Sequence, residues 1–118
     1  MKNINIGIIG YGYWGPNLVR NFMAQAQGKV LMVADGREGR LSLLNKTYPS
    51  IKTCADANEL ILDPIIDAVV IATPVFTHFE LAKKALLAGK HVLLEKPMTS
   101  SVAEAEELIN IADKNSLI

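Results

Sequence analysis

The stretch INIGIIGYGYWGP, residues 4–16, decides the fold that we predict for this chain. Isoleucines fall on both faces of its first six residues, which is typical of a strand buried inside a parallel sheet. Pro16 suits the first turn of a helix, and apolar residues then recur at helical spacing until a stop at Gly28. The stretch therefore predicts a buried strand, a glycine-rich turn and a helix in immediate succession.

Short apolar runs and amphipathic segments continue to alternate along the rest of the chain. Leu41, Leu43 and Leu44 indicate a helix. In the last predicted helix, Ile109 is expected on the buried stripe, and Ser101 with Glu104 forms a capping box. Such alternation predicts an α/β fold with a doubly wound parallel sheet, the Rossmann arrangement. The further strands are predicted at residues 30–34, 51–54, 67–72 and 91–94, and the further helices around residues 41–44, 57–62, 79–86 and 101–112.

Three glycines in the turn have the spacing of a phosphate-binding fingerprint. Gly10 permits a tight turn, Gly12 lets the backbone approach a pyrophosphate, and Gly15 lets helix and strand pack closely. The alternative is a chance coincidence of glycines, which the strand before and the helix after make less favourable. We predict that these glycines, with Tyr13 and Trp14 between them, bind a dinucleotide at the helix N-terminus.

An acidic residue follows the second predicted strand, at the place where such folds bind the adenosine ribose. Asp35 lies twenty residues after Gly15, and its carboxylate would accept hydrogen bonds from ribose hydroxyls while repelling a 2′-phosphate. The alternative is a solvated acid that merely ends the strand. Asp35 favours NAD, whereas Arg37 and Arg40 leave NADP open because an arginine here binds the additional phosphate.

Composition restricts the classes of function. The chain of 118 residues is long enough for one domain, which we place at residues 1–118. Its twelve basic and twelve acidic side chains cancel, so we expect neither nucleic acid nor a membrane surface as a partner. Cys54 is the single cysteine, which excludes an internal disulfide, favours a cytoplasmic location and leaves no cysteine cluster for a metal.

Two later strands also end in polar or turn-forming residues. Thr73 and Pro74 follow the strand predicted at residues 67–72, and Glu95 and Lys96 follow the strand at residues 91–94. Ligands of open α/β sheets bind beyond the carboxyl ends of the strands. All four residues are therefore predicted at the edge of the sheet that carries the glycine turn. Without further information, Glu95 and Lys96 would most often be a solvated pair on a turn.

These motifs together resemble one family, the glucose-fructose oxidoreductase and inositol dehydrogenase family, written Gfo/Idh/MocA. The resemblance covers nearly the whole chain. It implies hydride transfer between a nicotinamide cofactor and a hydroxyl of a sugar, cyclitol or sugar nucleotide. By position, it implies that Lys96 is catalytic, that Glu95 contacts the ribose, and that Thr73, Pro74 and His78 line the nicotinamide side. The residues that carry the resemblance are the turn at 10–15, Ala72-Thr73-Pro74, His78, Ala88-Gly89-Lys90-His91-Val92 and Glu95-Lys96-Pro97.

The resemblance also implies a C-terminal domain that binds substrate and builds homo-oligomers. That domain is absent from this chain, and residues 116–118 look like the start of another strand, so we expect the chain to be cut from a longer protein that is active only as a whole. The turn from Gly10 onward most resembles members that oxidise nucleotide-linked amino sugars. One alternative is a dinucleotide-sensing regulator of the same fold, against which Lys96 argues. Another alternative is a methyltransferase, which also uses a glycine loop and a ribose-binding acid on an alternating α/β chain. Such an enzyme would not need the turn at residues 95–97.

Overall fold

Strands and helices alternate along the chain in the computed structural model, which describes residues 4–12, 15–24, 28–94, 99 and 101–118. The alternation predicted from the hydrophobic pattern is confirmed, and a short 3-10 turn at Val75–Thr77 was not predicted. The strands are β1 (Ile4–Ile9), β2 (Gly28–Ala34), β3 (Lys52–Cys54), β4 (Ala68–Ile71) and β5 (His91–Leu94), and the helices are α1 (Gly15–Met23), α2 (Glu38–Thr47), α3 (Ala57–Ile61), α4 (His78–Leu87) and α5 (Val102–Lys114).

The five strands of the described chain form one parallel sheet in the order β3-β2-β1-β4-β5. The chain runs outward from β1 to β3 and then returns to the other side of β1 to form β4. A crevice opens at the carboxyl ends of the strands where the winding direction reverses, which is here between β1 and β4. The predicted doubly wound parallel sheet is confirmed, and its topology places the turn after β1 at this reversal point.

Hydrophobic side chains cover both faces of the sheet. Ile8 and Val33 pack with α1 and α2 on one face, while Ile9 and Met32 pack with the helices that follow β3 on the other. Gly7 in the middle of β1 lets α3 approach the sheet, because a Cβ there would lie 2.6 Å from Leu60 Cδ2. The crevice therefore lies at the edge of a rigid, doubly covered sheet.

Two local predictions were wrong. Helix α1 ends at Met23, and Gly28 begins β2 instead of stopping the helix. Ile109 is about half exposed, because its position points away from the sheet although the residue is apolar. The predicted cap of α5 is confirmed, since Ser101 Oγ accepts a hydrogen bond from the Glu104 amide at 3.2 Å.

A buried lysine connects two strands at the edge of the sheet opposite the crevice. Lys90 directly precedes β5 and is 6% exposed. Its ammonium group donates to Asp63 O at 2.7 Å and to Ile66 O at 2.5 Å, in the segment that leads into β4. The side chain therefore donates to two backbone carbonyls of one turn, of which Asp63 O also accepts from the Ile66 amide at 3.2 Å.

The last residues of the chain lie beside the edge strand. No regular element is assigned to residues 116–118, although Ile118 O accepts a hydrogen bond from Val92 N at 2.9 Å. Cys54 is buried at the end of β3, and burial together with the nearby Glu59 raises the pKa of its thiol. Across the described residues, helices are too short or too polar to cross a membrane.

Candidate functional site

A cleft of about 610 Å³ lies at the carboxyl edge of the sheet. The residues around it follow four different strands, so the sheet itself fixes their relative positions. Five residues predicted from the sequence meet here, and side chains from the 3-10 turn and α3 complete the wall. The described lining residues are Ile9, Gly10, Gly12, Ala34, Asp35, Gly36, Arg37, Ala55, Ala57, Ala72, Thr73, Pro74, Phe76, Thr77 and Leu81.

The two described glycines of the turn are needed for different reasons. Gly10 has φ +101°, and a Cβ there would lie 2.7 Å from the backbone oxygen of Ala72. Gly12 has no such backbone neighbour, and its Cβ would meet only the end of the Arg37 side chain, at 3.1 Å. Gly10 is therefore required by the fold, whereas Gly12 leaves open space on the cleft side, as a bound pyrophosphate would need.

Asp35 lies at the end of β2, with its side chain only 5% exposed. Its Oδ2 accepts from the Tyr11 amide at 2.8 Å and from Arg37 Nη2 at 3.0 Å, and its Oδ1 accepts from the Arg37 amide at 2.8 Å and Nε at 3.0 Å. A carboxylate offers about four lone-pair positions, so these bonds fill it. The solvated-acid alternative for Asp35 is therefore wrong.

The carboxylate of Asp35 stays ionised well into the acid range. Burial by itself would raise its pKa, but hydrogen bonds from the Arg37 side chain and from the amides of Tyr11 and Arg37 outweigh burial and lower the pKa below its usual value. The Arg37 side chain is 63% exposed, and it can therefore rotate into solvent. Two ribose hydroxyls could then replace its two donors, one on each oxygen, so the donor set of Asp35 fits a dinucleotide.

Arg40 and Tyr11 hold the glycine turn through contacts that the sequence did not predict, since it offered Arg40 only as an arginine that could bind a 2′-phosphate. Arg40 donates to the backbone oxygens of Tyr11 and Gly12, at 2.8 and 2.9 Å. Tyr11 is 4% exposed and packs in the core between α1 and α2. Burial, with a smaller contribution from Tyr48, raises the pKa of its hydroxyl. The buried side chain of Tyr11 thus fixes the turn to the hydrophobic core.

The turn after β4 forms the opposite wall of the cleft. The hydroxyls of Thr73 and Thr77 lie 2.6 Å apart, and Thr77 Oγ1 donates to Pro74 O at 2.6 Å. His78 is 1% exposed, and its Nε2 lies 2.8 Å from Thr73 O. Because a carbonyl only accepts, that nitrogen carries the proton. His78 supports the wall from behind, and its direct contact with a cofactor stays a prediction.

Several predicted site residues lie outside the described residues. They are Tyr13 and Trp14 in the turn, and Glu95 and Lys96 after β5, so their roles stay predictions. Gly15 is described as the first residue of α1, where the third glycine of the fingerprint was expected. Across the described positions, no group of histidine, cysteine, aspartate and glutamate side chains is arranged to hold a metal ion.

The strand order, the glycine turn and the acid after β2 define an NAD-binding Rossmann domain. A family model described as "Oxidoreductase family, NAD-binding Rossmann fold" matches residues 4–118. The chain belongs to this family, Gfo/Idh/MocA, as the resemblance of its motifs predicted. NAD is the cofactor of the family's domain, and structural neighbours include complexes with NADP as well.

Individual relatives agree with the family assignment. The uncharacterised oxidoreductase YdgJ of Escherichia coli (strain K12) is 38% identical over 110 residues, which is 93% of this chain and 31% of that protein. Myo-inositol 2-dehydrogenase of Thermotoga maritima is 32% identical over 115 residues, 98% of this chain and 34% of that protein. Biliverdin reductase from Synechocystis, solved with biliverdin and NADP+, matches with a TM-score of 0.92 at 29% identity, covering 98% of this chain and 36% of that one. The chain thus spans about a third of the length of the relatives it matches.

Proposed function

We propose that the protein is an NAD(P)-dependent dehydrogenase that transfers a hydride between the nicotinamide ring and a hydroxyl of a sugar, cyclitol or sugar nucleotide. One observation carries the proposal: the glycine turn and the acid after β2 are joined, through the 2.8 Å hydrogen bond from Tyr11 N to Asp35, at the mouth of the cleft. The family assignment and the similarity to an inositol dehydrogenase support a polyhydroxylated substrate.

The roles of the residues follow from their places around the cleft. Gly10, Gly12 and Gly15, with Tyr13 and Trp14, hold the pyrophosphate, and Asp35 accepts hydrogen bonds from the adenosine ribose. The turn at residues 73–78 lines the nicotinamide side. Glu95 contacts the nicotinamide ribose, and Lys96 orients the reacting hydroxyl and assists its deprotonation. When bound, the nicotinamide ring supplies the hydride chemistry.

The partners follow from the same proposal. A further domain binds the sugar-like substrate and forms the homo-oligomer, and the chain described here supplies the cofactor site without turning over substrate alone. The protein works in the cytoplasm, in agreement with its single buried thiol. Neither nucleic acid nor a membrane is a partner, in agreement with the zero formal net charge.

Replacing Gly12 by valine tests the pyrophosphate site. Its Cβ would meet only the flexible end of Arg37, so the fold should survive while the isopropyl group fills the space beside the turn. Isothermal titration with NAD should show loss of binding in Gly12→Val. Gly39→Val is the matched control, because a Cβ at Gly39 has open space around it and lies on α2 away from the cleft. Unchanged affinity in Gly12→Val would remove the turn from the site.

Replacing Lys96 by methionine tests the catalytic part of the proposal. In the full-length protein, Lys96→Met should lower kcat with a cyclitol or sugar substrate far more than it lowers NAD affinity, because methionine keeps the length of the side chain and loses the proton-bearing group. Steady-state kinetics and titration on the same preparation separate the two quantities. A Lys96→Met protein with wild-type kcat would take the lysine out of the reaction.

A further inference from the structure

We propose that Arg40 is a positioning residue that fixes the peptide orientation of the glycine turn before any ligand binds. The inference rests on the proposed function, in which this turn binds the pyrophosphate. Arg40 lies in the first half of α2, and its guanidinium group donates from Nε to Tyr11 O and from Nη2 to Gly12 O. Arg40 is not one of the described residues that line the cleft, so it acts on the turn from behind.

The planarity of the peptide bond explains how these two contacts would affect a bound ligand. A trans peptide is planar, and its C=O and N–H groups point in opposite directions. Because Arg40 holds the Tyr11 carbonyl on the α2 side, the Gly12 N–H of the same peptide must point the other way. A rotated peptide would instead present a carbonyl oxygen to the phosphate. The partial negative charge of that oxygen and the negative charge of the phosphate would then repel each other.

The same peptide segment is also held from its other end. The Tyr11 amide donates to Asp35, and the Arg40 guanidinium lies 5.9 Å from the centre of the Tyr11 ring. Tyr11 itself is buried. An anion site that is arranged in advance does not spend binding energy on ordering its donors. Arg40 therefore increases affinity without touching the ligand.

The two arginines on this side of the cleft, Arg37 and Arg40, have different hydrogen-bond partners and different roles. Arg37 pairs with Asp35 through an exposed side chain, and that side chain can move. Arg40 uses two nitrogens of its planar fork on two backbone oxygens, which a lysine ammonium cannot reproduce with the same geometry. The identity of the residue, and not its charge alone, is therefore expected to matter at position 40.

The test compares three variants of the full-length protein: Arg40→Met, Arg40→Lys and, as the matched control, Arg20→Met on the exposed face of α1. NAD affinity is measured by isothermal titration, and the Gly12 amide is followed by ¹H–¹⁵N NMR without ligand. We expect both Arg40 variants to bind NAD about tenfold or more weakly and to shift or broaden the Gly12 resonance, because each loses the paired hydrogen bonds. Arg20→Met should leave both readouts unchanged.

Two outcomes overturn the inference while the proposed function stands. Wild-type affinity in Arg40→Lys would mean that charge alone matters, and an unaltered Gly12 resonance beside weakened binding would mean that Arg40 does not position the turn. If Arg40→Met fails to fold, Arg40→Lys decides the question. A wild-type protein that does not bind NAD would instead overturn the proposed pyrophosphate site, and the Arg40 inference would fall with it.

Discussion

The two sides of the cleft are built by different chemistry. On one side, which we call the ionic rim, residues 10–12 and 35–40 are held together by a carboxylate and two guanidinium groups. On the other, the neutral rim at residues 73–78, hydroxyls, backbone carbonyls and one imidazole make the contacts. Phe76 on the neutral rim is 76% exposed, so this side presents an apolar surface to the cleft.

The difference matches the two ends of the proposed ligand. The pyrophosphate and adenosine ribose are the charged and hydroxyl-rich part of a dinucleotide, and the ionic rim offers donors and one acceptor for them. The nicotinamide ring is flat with apolar faces, and its one carboxamide group can bond to neutral donors and acceptors, so the neutral rim suits it better. We therefore expect substitutions of the charged side chains on the ionic rim to respond to pH and salt, and substitutions of the threonine hydroxyls on the neutral rim to respond to neither.

The largest effect is expected at the glycine that the ionic rim needs for folding. Gly10→Ala combines a positive φ with a Cβ placed 2.7 Å from a backbone oxygen, and it should lower the free energy of unfolding by on the order of 3 kcal/mol. Denaturant titration measures the loss. Gly36→Ala is the control, because a Cβ at Gly36 meets nothing within 4 Å on the same cleft. Equal stability of the two variants would contradict the fold-based reading of Gly10.

The next effect is a pH dependence of stability that belongs to Asp35. Because its pKa is lowered in the folded protein, the ionised carboxylate stabilises the fold above the unfolded pKa of about 4, and this contribution disappears as pH falls through the lower folded value. Asp35→Asn should therefore be less stable than wild type at pH 7, with a difference that shrinks below about pH 4. Urea titrations at several pH values measure it. A difference independent of pH would show that the charge plays no part.

A smaller effect is expected for cofactor choice at Arg37. Its guanidinium fills two acceptor positions of Asp35 that ribose hydroxyls would need, and on rotating away it becomes available to a 2′-phosphate. Arg37→Ala should leave NAD affinity unchanged or slightly improved while NADP affinity falls about tenfold. Titration with both cofactors gives the ratio, with Arg20→Ala as the control. Equal losses for both cofactors would contradict the proposed exchange.

The smallest effect is expected on the neutral rim. Thr77→Val keeps the shape of the side chain and removes the hydroxyl that contacts Thr73 and Pro74, which should lower the free energy of unfolding by about 1 kcal/mol. The loss should be the same at low and high salt, since no charge is involved. Thermal melting at two ionic strengths checks this. A strong salt dependence would remove the contrast between the rims.

The fold was largely predictable because its signals are local. The apolar runs, the turn glycines and the Ser101 cap each depend on neighbouring residues, and they gave the alternation and the parallel sheet. The errors fall where local pattern is ambiguous. Ile109 is apolar but faces away from the sheet, and the end of α1 is not marked by Gly28, which belongs to the next strand.

The site was predictable only where a single segment carries the signal. The glycine spacing and Asp35 belong to a fingerprint that is read directly from the chain. The contacts of Arg40 with the turn join residues 28 and 29 positions apart, and they exist only because α2 packs behind β1. The buried position of Tyr11 depends on the same packing. The spacing of apolar residues along the sequence carries no information about such long-range contacts.

The buried side chain of Lys90 has a consequence for anyone who substitutes each lysine in turn to find the one that reacts. Lys90 lies six residues before Lys96, but its ammonium group is occupied by the carbonyls of Asp63 and Ile66 at the far edge of the sheet. Its removal would take one donor from each of these oxygens and leave a cavity at a buried position, which should lower the free energy of unfolding. In a lysine scan based on activity alone, a loss at Lys90 would therefore look like the loss of a reacting lysine, and only a folding assay would separate the two.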